Sequence, residues 1–304
     1  MDAVIGTWID WQREGIRHED PSALCTVGYN TVYVAWPANA RLDFIANHTY
    51  ENLHAPTCYD TIVTNVTTMD RLRALWPDKP ILIGEFGYSG GNKTRYGRLL
   101  SVHDTAVAEM IHYLYAFARG YSGVIKWMCC DWPVPVLRRQ ATWIPREDTD
   151  RQLVEGRLGL YWYDGTPEGH PKPLCYALRF LRDYVDAGNT GGRMEIRRSK
   201  APIGTGYVYR NRNALFVGDV EYAGDGLRFR CADGGPANVM LAWERRALTM
   251  MATADVVAIA RPARLDSSLR GRPRVSGTHG GMRLLGDAAH VTLLEGETLR
   301  LSYP

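Results

Sequence analysis

Residues 80–88 read Pro-Ile-Leu-Ile-Gly-Glu-Phe-Gly-Tyr, a short apolar run that stops at the carboxylate of Glu85, between Gly84 and Gly87. An apolar run of this length, bounded by turn residues, is typical of a buried strand in a parallel sheet. Barrels of parallel strands carry their chemistry at the C-terminal ends of the strands. We therefore predict that Glu85 is a catalytic group. The alternative is a surface glutamate at the start of a loop.

Short apolar strands alternate with amphipathic helices through the first two-thirds of the chain. Strands alternating with helices indicate parallel β/α units, and four such units are half of a (β/α)₈ barrel. We therefore predict the α/β class, with a partial TIM-type barrel. The predicted strands lie at residues 23–27, 42–46, 80–85 and 123–128, and the helices lie at the N-terminus and at residues 60–76, 104–119 and 174–185.

The sequence pattern changes after residue 188, where Asn189-Thr190-Gly191-Gly192 is typical of a linker. Turn residues then separate short strands at a spacing of roughly 8–12 residues, which indicates an all-β sandwich. We predict two domains: residues 1–188 form the barrel half and residues 193–304 form the β-sandwich. The predicted strands of the second domain lie at residues 206–210, 214–217, 227–231, 239–243, 256–260 and 290–294.

Composition narrows the classes of function. The formal net charge of the 304 residues is only +3, and the basic residues form no patch of the kind that nucleic acid requires. No stretch approaches the roughly 20 apolar residues of a membrane helix, and the N-terminus lacks the pattern of a signal peptide. The six cysteines show no metal-ligand spacing. We expect no cofactor, no metal, no nucleic acid and no membrane partner.

Polar and aromatic side chains follow the ends of the neighbouring strands. His48 and Tyr50 follow the second strand, and Trp127 lies at the end of the fourth. Because the strand ends of a barrel converge on one face, we expect these side chains to surround Glu85. An indole offers a platform to a sugar ring, and a phenol or imidazole can orient a carboxylate. Further substrate-binding candidates at strand ends are Asn30, Asp131 and Trp132.

The order and spacing of these motifs resemble the clan A glycoside hydrolases, in particular the cellulase-like retaining enzymes of family 5. Residues 79–87 resemble their seventh-strand nucleophile motif, and residues 42–50 resemble their sixth strand with its His-x-Tyr ending. Residues 20–28 are similar to the entry of the fifth strand. Trp127 falls where the eighth strand supplies a sugar-stacking tryptophan. The resemblance covers residues 1 to about 186 and implies strands five to eight of the barrel.

The resemblance implies roles for single residues. Glu85 would attack the anomeric carbon as nucleophile, while His48 and Tyr50 would position it or the sugar. The family's acid/base glutamate follows an asparagine at the end of the fourth strand, and this chain has no Asn-Glu pair. We therefore expect a chain truncated at its N-terminus, with the upstream half of the barrel as its partner. Without the acid, the rate falls by roughly 10²–10⁴.

Several alternatives stay open. Glu51 and Asp131 are candidates for a substitute acid, because a retaining pair needs carboxyl groups about 5–5.5 Å apart. The leading interpretation is a retaining glycoside hydrolase acting on a β-linked glycan. A non-catalytic carbohydrate-binding or assembly module derived from a glycosidase is the alternative. A flavodoxin-like domain would need a Gly-rich phosphate loop after the first strand, where the chain has Gly28-Tyr29-Asn30.

Overall fold

The first half of the chain forms a parallel sheet surrounded by helices. The computed structural model describes residues 1–30, 32–50, 57–88, 100–131, 158–162, 169–185 and 191–304. Four strands pair in chain order and all run parallel. These strands are β1 (Gly28–Asn30), β2 (Ile45–Tyr50), β3 (Ile81–Gly87) and β4 (Gly123–Lys126). No helix in these ranges is long and apolar enough to cross a membrane.

Four helices accompany this sheet close to the predicted positions. They are α1 (Asp2–Glu19), α2 (Cys58–Leu75), α3 (Val102–Ala118) and α4 (Pro173–Tyr184). Local capping fixes two of their starts. The hydroxyl of Thr57 accepts the backbone N–H of Asp60 at the start of α2. Ser101 and Asp104 form a reciprocal capping box at the start of α3.

The first two strands lie further along the chain than the sequence predicted, so both predicted positions were wrong. Residues 23–27 form no strand. The carboxylate of Asp43 accepts the backbone N–H of Cys25 at 2.8 Å, and Thr26 donates to the carbonyl of Phe44 at 2.7 Å. The backbone N–H of Asp43 also donates to the carbonyl of Cys25 at 3.0 Å, and the side-chain contacts take the place of further ladder hydrogen bonds there. Because β2 begins at Ile45, it includes both His48 and Tyr50.

The last part of the chain forms two antiparallel sheets. The five-stranded sheet has the order β10-β11-β14-β17-β16, and the seven-stranded sheet has the order β15-β18-β13-β12-β9-β8-β7. A further pair, β5 (Tyr161–Trp162) with β6 (His170–Pro171), precedes α4. The strands are β7 (Arg193–Arg198), β8 (Thr205–Arg210), β9 (Ala214–Asp219), β10 (Glu221–Gly224), β11 (Leu227–Cys231), β12 (Ala237–Glu244), β13 (Ala247–Ala252), β14 (Val256–Ala260), β15 (Arg274–Gly277), β16 (Gly281–Leu285), β17 (Ala288–Leu293) and β18 (Thr298–Ser302), with a short helix α5 (Pro262–Leu265).

The seven-stranded sheet is covered on both faces. One face shares a buried core with the five-stranded sheet, and the other packs against α3 and α4. Phe180 of α4 meets Phe216 of β9 edge to face, with ring centroids 5.8 Å apart. Gly218 of β9 lets α3 approach, because a Cβ there would lie 3.0 Å from Val107. One continuous core therefore joins the two predicted domains, and their boundary at residues 189–192 stays a prediction.

Candidate active site

Glu85 lies near the C-terminal end of β3, where the strand carries a bulge. Asn47 of β2 pairs with Ile83, but the next residue, His48, pairs with Glu85, so Gly84 has no opposite residue. A bulge of this kind re-aims the side chain that follows it. The Glu85 side chain keeps 33% of its surface exposed. The carboxylate is therefore accessible at the C-terminal end of the strands, where the sequence predicted it.

Two side chains of β2 contact one oxygen of this carboxylate. The hydroxyl of Tyr50 donates to Oε2 of Glu85 at 2.8 Å, and Nδ1 of His48 lies 3.3 Å from the same oxygen. Residues 48 and 50 share a face of β2 because side chains alternate along a strand. Neither contact engages Oε1. The arrangement fixes the orientation of the carboxylate through Oε2.

The imidazole of His48 lies across the sheet in a space that two glycines provide. A Cβ on Gly28 would lie 2.6 Å from Nε2 of His48, and a Cβ on Gly84 would lie 3.2 Å from it. A Cβ closer than 3.0 Å to another heavy atom forces one of the two to move. The absence of a side chain at Gly28 in particular therefore leaves room for the ring of His48. Glycine at these two positions is part of how the sequence builds the site.

Trp127 follows β4 directly and is held beside β3 by the backbone. The backbone N–H of Trp127 donates to the carbonyl of Phe86 at 2.8 Å, and Phe86 is the residue after Glu85. Trp127 is 41% exposed, and its backbone lies at the end of the sheet where Glu85 also lies. An exposed tryptophan at this end of the sheet is suited to stacking on a sugar ring.

The other sequence candidates do not join this cluster. Asp131 is only 7% exposed, and its Oδ1 lies 2.6 Å from Nζ of Lys172 and accepts the N–H of Gly159 at 2.9 Å. Its carboxylate is thus paired inside the protein rather than presented to a ligand. Asn30 ends β1, but its side chain lies outside the described residues. Trp132 and Glu51 also lie outside them.

A buried ion pair supports the site and was missed by sequence reasoning. Nζ of Lys126 lies 2.7 Å from Oε1 of Glu109, and both side chains are 4% exposed. Glu109 accepts the N–H of Tyr88 at 2.8 Å, and Lys126 donates to the carbonyl of Trp127 at 3.2 Å. The available signal was a lone glutamate among the apolar residues of α3.

A second buried network supports β2. The amide of Asn65 donates to the carbonyl of Tyr50 at 3.4 Å and lies 3.2 Å from Nε2 of His112. Nδ1 of His112 is 3.0 Å from the carbonyl of Ala108, which suits a neutral ring protonated at Nδ1. Burial lowers the pKa of His112 to about 4, against an opposing effect of the Ala108 hydrogen bond. The ring stacks on Phe86 with centroids 5.4 Å apart.

Comparisons with known proteins give structural neighbours only. No protein-family model matches the sequence, and no curated protein matches it. The similar solved structures include an FMN-binding beta-glucuronidase from Facaelibacterium prausnitzii L2-6, at TM-score 0.44 and 15% identity over 82% of this chain and 36% of that chain. Another is a putative beta-galactosidase from Bacteroides fragilis, at TM-score 0.45 and 11% identity over 84% of this chain and 36% of that chain. A third is an exo-beta-1,4-mannosidase from Opitutaceae bacterium strain TAV5, at TM-score 0.42 and 20% identity over 60% of this chain and 33% of that chain.

All three neighbours are named as glycosidases. This chain spans about a third of the length of each of them. At these TM-scores and identities the similarity decides neither the family nor the activity of this chain. The functional assignment therefore depends on the geometry around Glu85.

Proposed function

We propose that this chain acts on glycosides by a retaining mechanism, with Glu85 as the nucleophile and a β-linked glycan as the substrate. The observation that carries the proposal is the 2.8 Å hydrogen bond from Tyr50 to Oε2 of Glu85, with His48 at 3.3 Å from the same oxygen. Both partners orient the carboxylate and leave Oε1 without a contact from either. A carboxylate held in this way can attack an anomeric carbon.

The proposed reaction has two steps. Oε1 of Glu85 forms a bond to the anomeric carbon while the bond from that carbon to the leaving-group oxygen breaks, which gives a glycosyl ester. Water then attacks the same carbon, and the ester bond from that carbon to Oε1 breaks. The sugar is released with retained configuration, Glu85 regains its negative charge, and the proton that the water loses goes to solvent, where it balances the charge of the departed leaving group. The exposed indole of Trp127 supplies the surface on which the sugar ring stacks.

The proposal assigns no general acid. The contacts of Glu85 within the described residues come from a phenol and an imidazole, and Asp131 is committed to Lys172. A glycoside whose leaving group departs without a proton bypasses that requirement. Activated aryl glycosides are therefore the substrates of choice for testing the role of Glu85.

The experiment is covalent trapping with 2,4-dinitrophenyl 2-deoxy-2-fluoro glycosides of the gluco, galacto and manno series. We expect one of them to add a single fluoroglycosyl group, and peptide mapping to locate it on Glu85. Glu85→Gln should abolish labelling. The matched control, Glu221→Gln, alters an exposed glutamate of β10 and should label normally. Label on any other residue, or no label with the whole series, refutes the nucleophile assignment.

A second candidate is a carbohydrate-binding protein without catalysis. It is favoured by the absence of a second carboxylate among the contacts of Glu85 in the described part of the chain. This alternative predicts retention on a glycan column that Trp127→Ala abolishes, with no covalent labelling and no release of dinitrophenol. The enzyme proposal predicts labelling in the same samples.

A further inference from the structure

A cavity of about 1030 Å³ opens in the antiparallel part of the chain, far along the sequence from the residues around Glu85. It lies where β15 and β16, the edge strands of the two different sheets, follow one another in the chain. Helix α5, residues 269–273, and β16 with the turn to β17 contribute to its lining. Its volume is at the upper end of the roughly 300–1,000 Å³ typical of small-molecule sites.

The floor of this cavity is aliphatic. On β16, Met282 and Leu284 are partly buried and line the cavity, while the residues between and beside them are exposed. Leu269 and the start of β17 complete the floor and are almost completely buried. The space between the two sheets is thus left open at this edge, where the partly buried side chains of Met282 and Leu284 are accessible from outside. Such a surface favours a ligand with an apolar body.

The rim of the cavity is positively charged. Arg270 and Arg272 line it, are exposed, and have no carboxylate of the described residues within ion-pair distance. Gly271 between them takes a positive φ of 91°, which turns the backbone in a way that favours glycine. The one acidic residue of the lining, Asp287, lies 3.8 Å from Arg261, so its charge already has a counterion.

A polar atom in the lining also lacks a partner. Nδ1 of His279 is buried and has no hydrogen bond within the described residues. Buried polar atoms are usually satisfied, and an unsatisfied one calls for a ligand or water. His279 therefore adds a possible donor to the two arginines at this site.

We propose that the cavity binds an anionic amphiphile, a small molecule with one carboxylate or sulfate and an aliphatic body. The charged group lies on Arg270 and Arg272, and the apolar body lies on the floor formed by Leu269, Met282 and Leu284. A free sugar is a poorer fit, because an aliphatic floor offers few partners to its hydroxyl groups. The site shares no residue with the cluster around Glu85 and does not depend on the proposed catalytic function.

The test uses decanoate below its micelle-forming concentration, titrated into the full chain by calorimetry, with decan-1-ol and glucuronate as comparison ligands. We expect saturable binding of one decanoate per chain, weaker binding of the alcohol, and none of glucuronate. Ala263→Trp, which adds bulk to a lining residue of α5, should abolish binding. Circular dichroism of each variant verifies that it is folded.

Charge variants test the role of the rim. Arg270→Gln and Arg272→Gln should each weaken decanoate binding about three- to fivefold, the scale of an exposed ion pair. The matched control is Arg283→Gln, because Arg283 is exposed on β16 but does not line the cavity. Its affinity should equal that of the unaltered chain. Absence of saturable binding, equal affinity for decanoate and decan-1-ol, an equal loss in Arg283→Gln, or binding of glucuronate alone would each overturn the proposal.

Discussion

The ammonium of Lys126 lies 2.7 Å from the carboxylate of Glu109, with both side chains almost completely buried. Lys126 ends β4, and Glu109 lies in the middle of α3. Through Glu109 the pair binds the N–H of Tyr88 after β3, and through Lys126 it binds the carbonyls of Trp127 and Leu158. One buried ion pair therefore connects the ends of the two strands that carry Glu85 and precede Trp127.

Removing one partner of this pair should be costly. We expect Glu109→Gln to lower the free energy of unfolding by about 3–5 kcal/mol, because it leaves the ammonium buried without a counterion. Urea denaturation measures the change. The control is Glu244→Gln, whose partner Arg300 is 3.7 Å away at the surface, and its cost should stay below about 1 kcal/mol. Equal effects of the two substitutions would contradict the structural role of the pair.

Tyr50 should matter for reactivity more than for folding. Tyr50→Phe removes the hydrogen bond to Oε2 of Glu85, and a hydrogen bond to a charged group contributes about 1.5–3 kcal/mol, or roughly 10–100-fold in the labelling rate constant. Stopped-flow release of dinitrophenol gives that rate. Tyr222→Phe is the matched control, because it removes a 2.7 Å hydrogen bond to Asp225 away from the site. If both variants react at the rate of the unaltered chain, Tyr50 does not position the nucleophile.

A side chain at position 28 should displace the ring of His48. Gly28→Ala places a methyl group where Nε2 of His48 lies 2.6 Å away, so the imidazole must leave its present position, in which Nδ1 lies 3.3 Å from Oε2 of Glu85. We expect slower labelling by the fluorinated glycosides with near-normal circular dichroism. Gly281→Ala serves as control, because a Cβ at this strand position has nothing within 4 Å. Unchanged labelling in Gly28→Ala would show that the position of His48 is not critical.

His112 should make the protein sensitive to acid. Its pKa is about 4 in the folded chain, against an ordinary value of 6.5, so the unfolded chain binds the extra proton first. The contribution of His112 to the free energy of unfolding is therefore complete above about pH 6.5, and it is lost progressively as the pH falls towards 4. His112→Asn should reduce the proton uptake on unfolding in this window by about one. His18→Gln, at an exposed site on α1, should leave it unchanged.

The sequence predicted the strand and the carboxylate at its end, because an apolar run closed by glycines has few other interpretations. It predicted His48 and Tyr50 as neighbours of Glu85 from their position after an apolar segment. The exact strand bounds were wrong, since the contacts of Asp43 with Cys25 depend on residues 18 positions apart. The residues of the cluster were nevertheless found, because parallel neighbouring strands bring their ends together.

The buried charges could not be found in this way. Asp131 was predicted to bind the ligand because it follows a strand. Its partner Lys172 lies 41 residues later in the chain, so the sequence near Asp131 does not show the pairing. Glu109 was not singled out, because a lone glutamate among the apolar residues of a helix does not by itself show that both sides of α3 are covered. A sign of this covering lies in β12, whose first seven residues, Ala-Asn-Val-Met-Leu-Ala-Trp, are almost all apolar and are all buried. A strand that is buried on both faces loses its polar alternation.

The position of α3 has a consequence for protein synthesis. The helix ends at Ala118, but the strands that pack on its outer side begin with β7 at Arg193 and continue, through β8, to β12, which ends at Glu244. On the ribosome, that side of the helix must wait for 75 further residues before the first of these strands begins, at Arg193, and for 126 before the last of them ends, at Glu244. A nascent chain arrested between α3 and these strands would therefore expose the apolar outer side of α3, which is the kind of surface that chaperones bind.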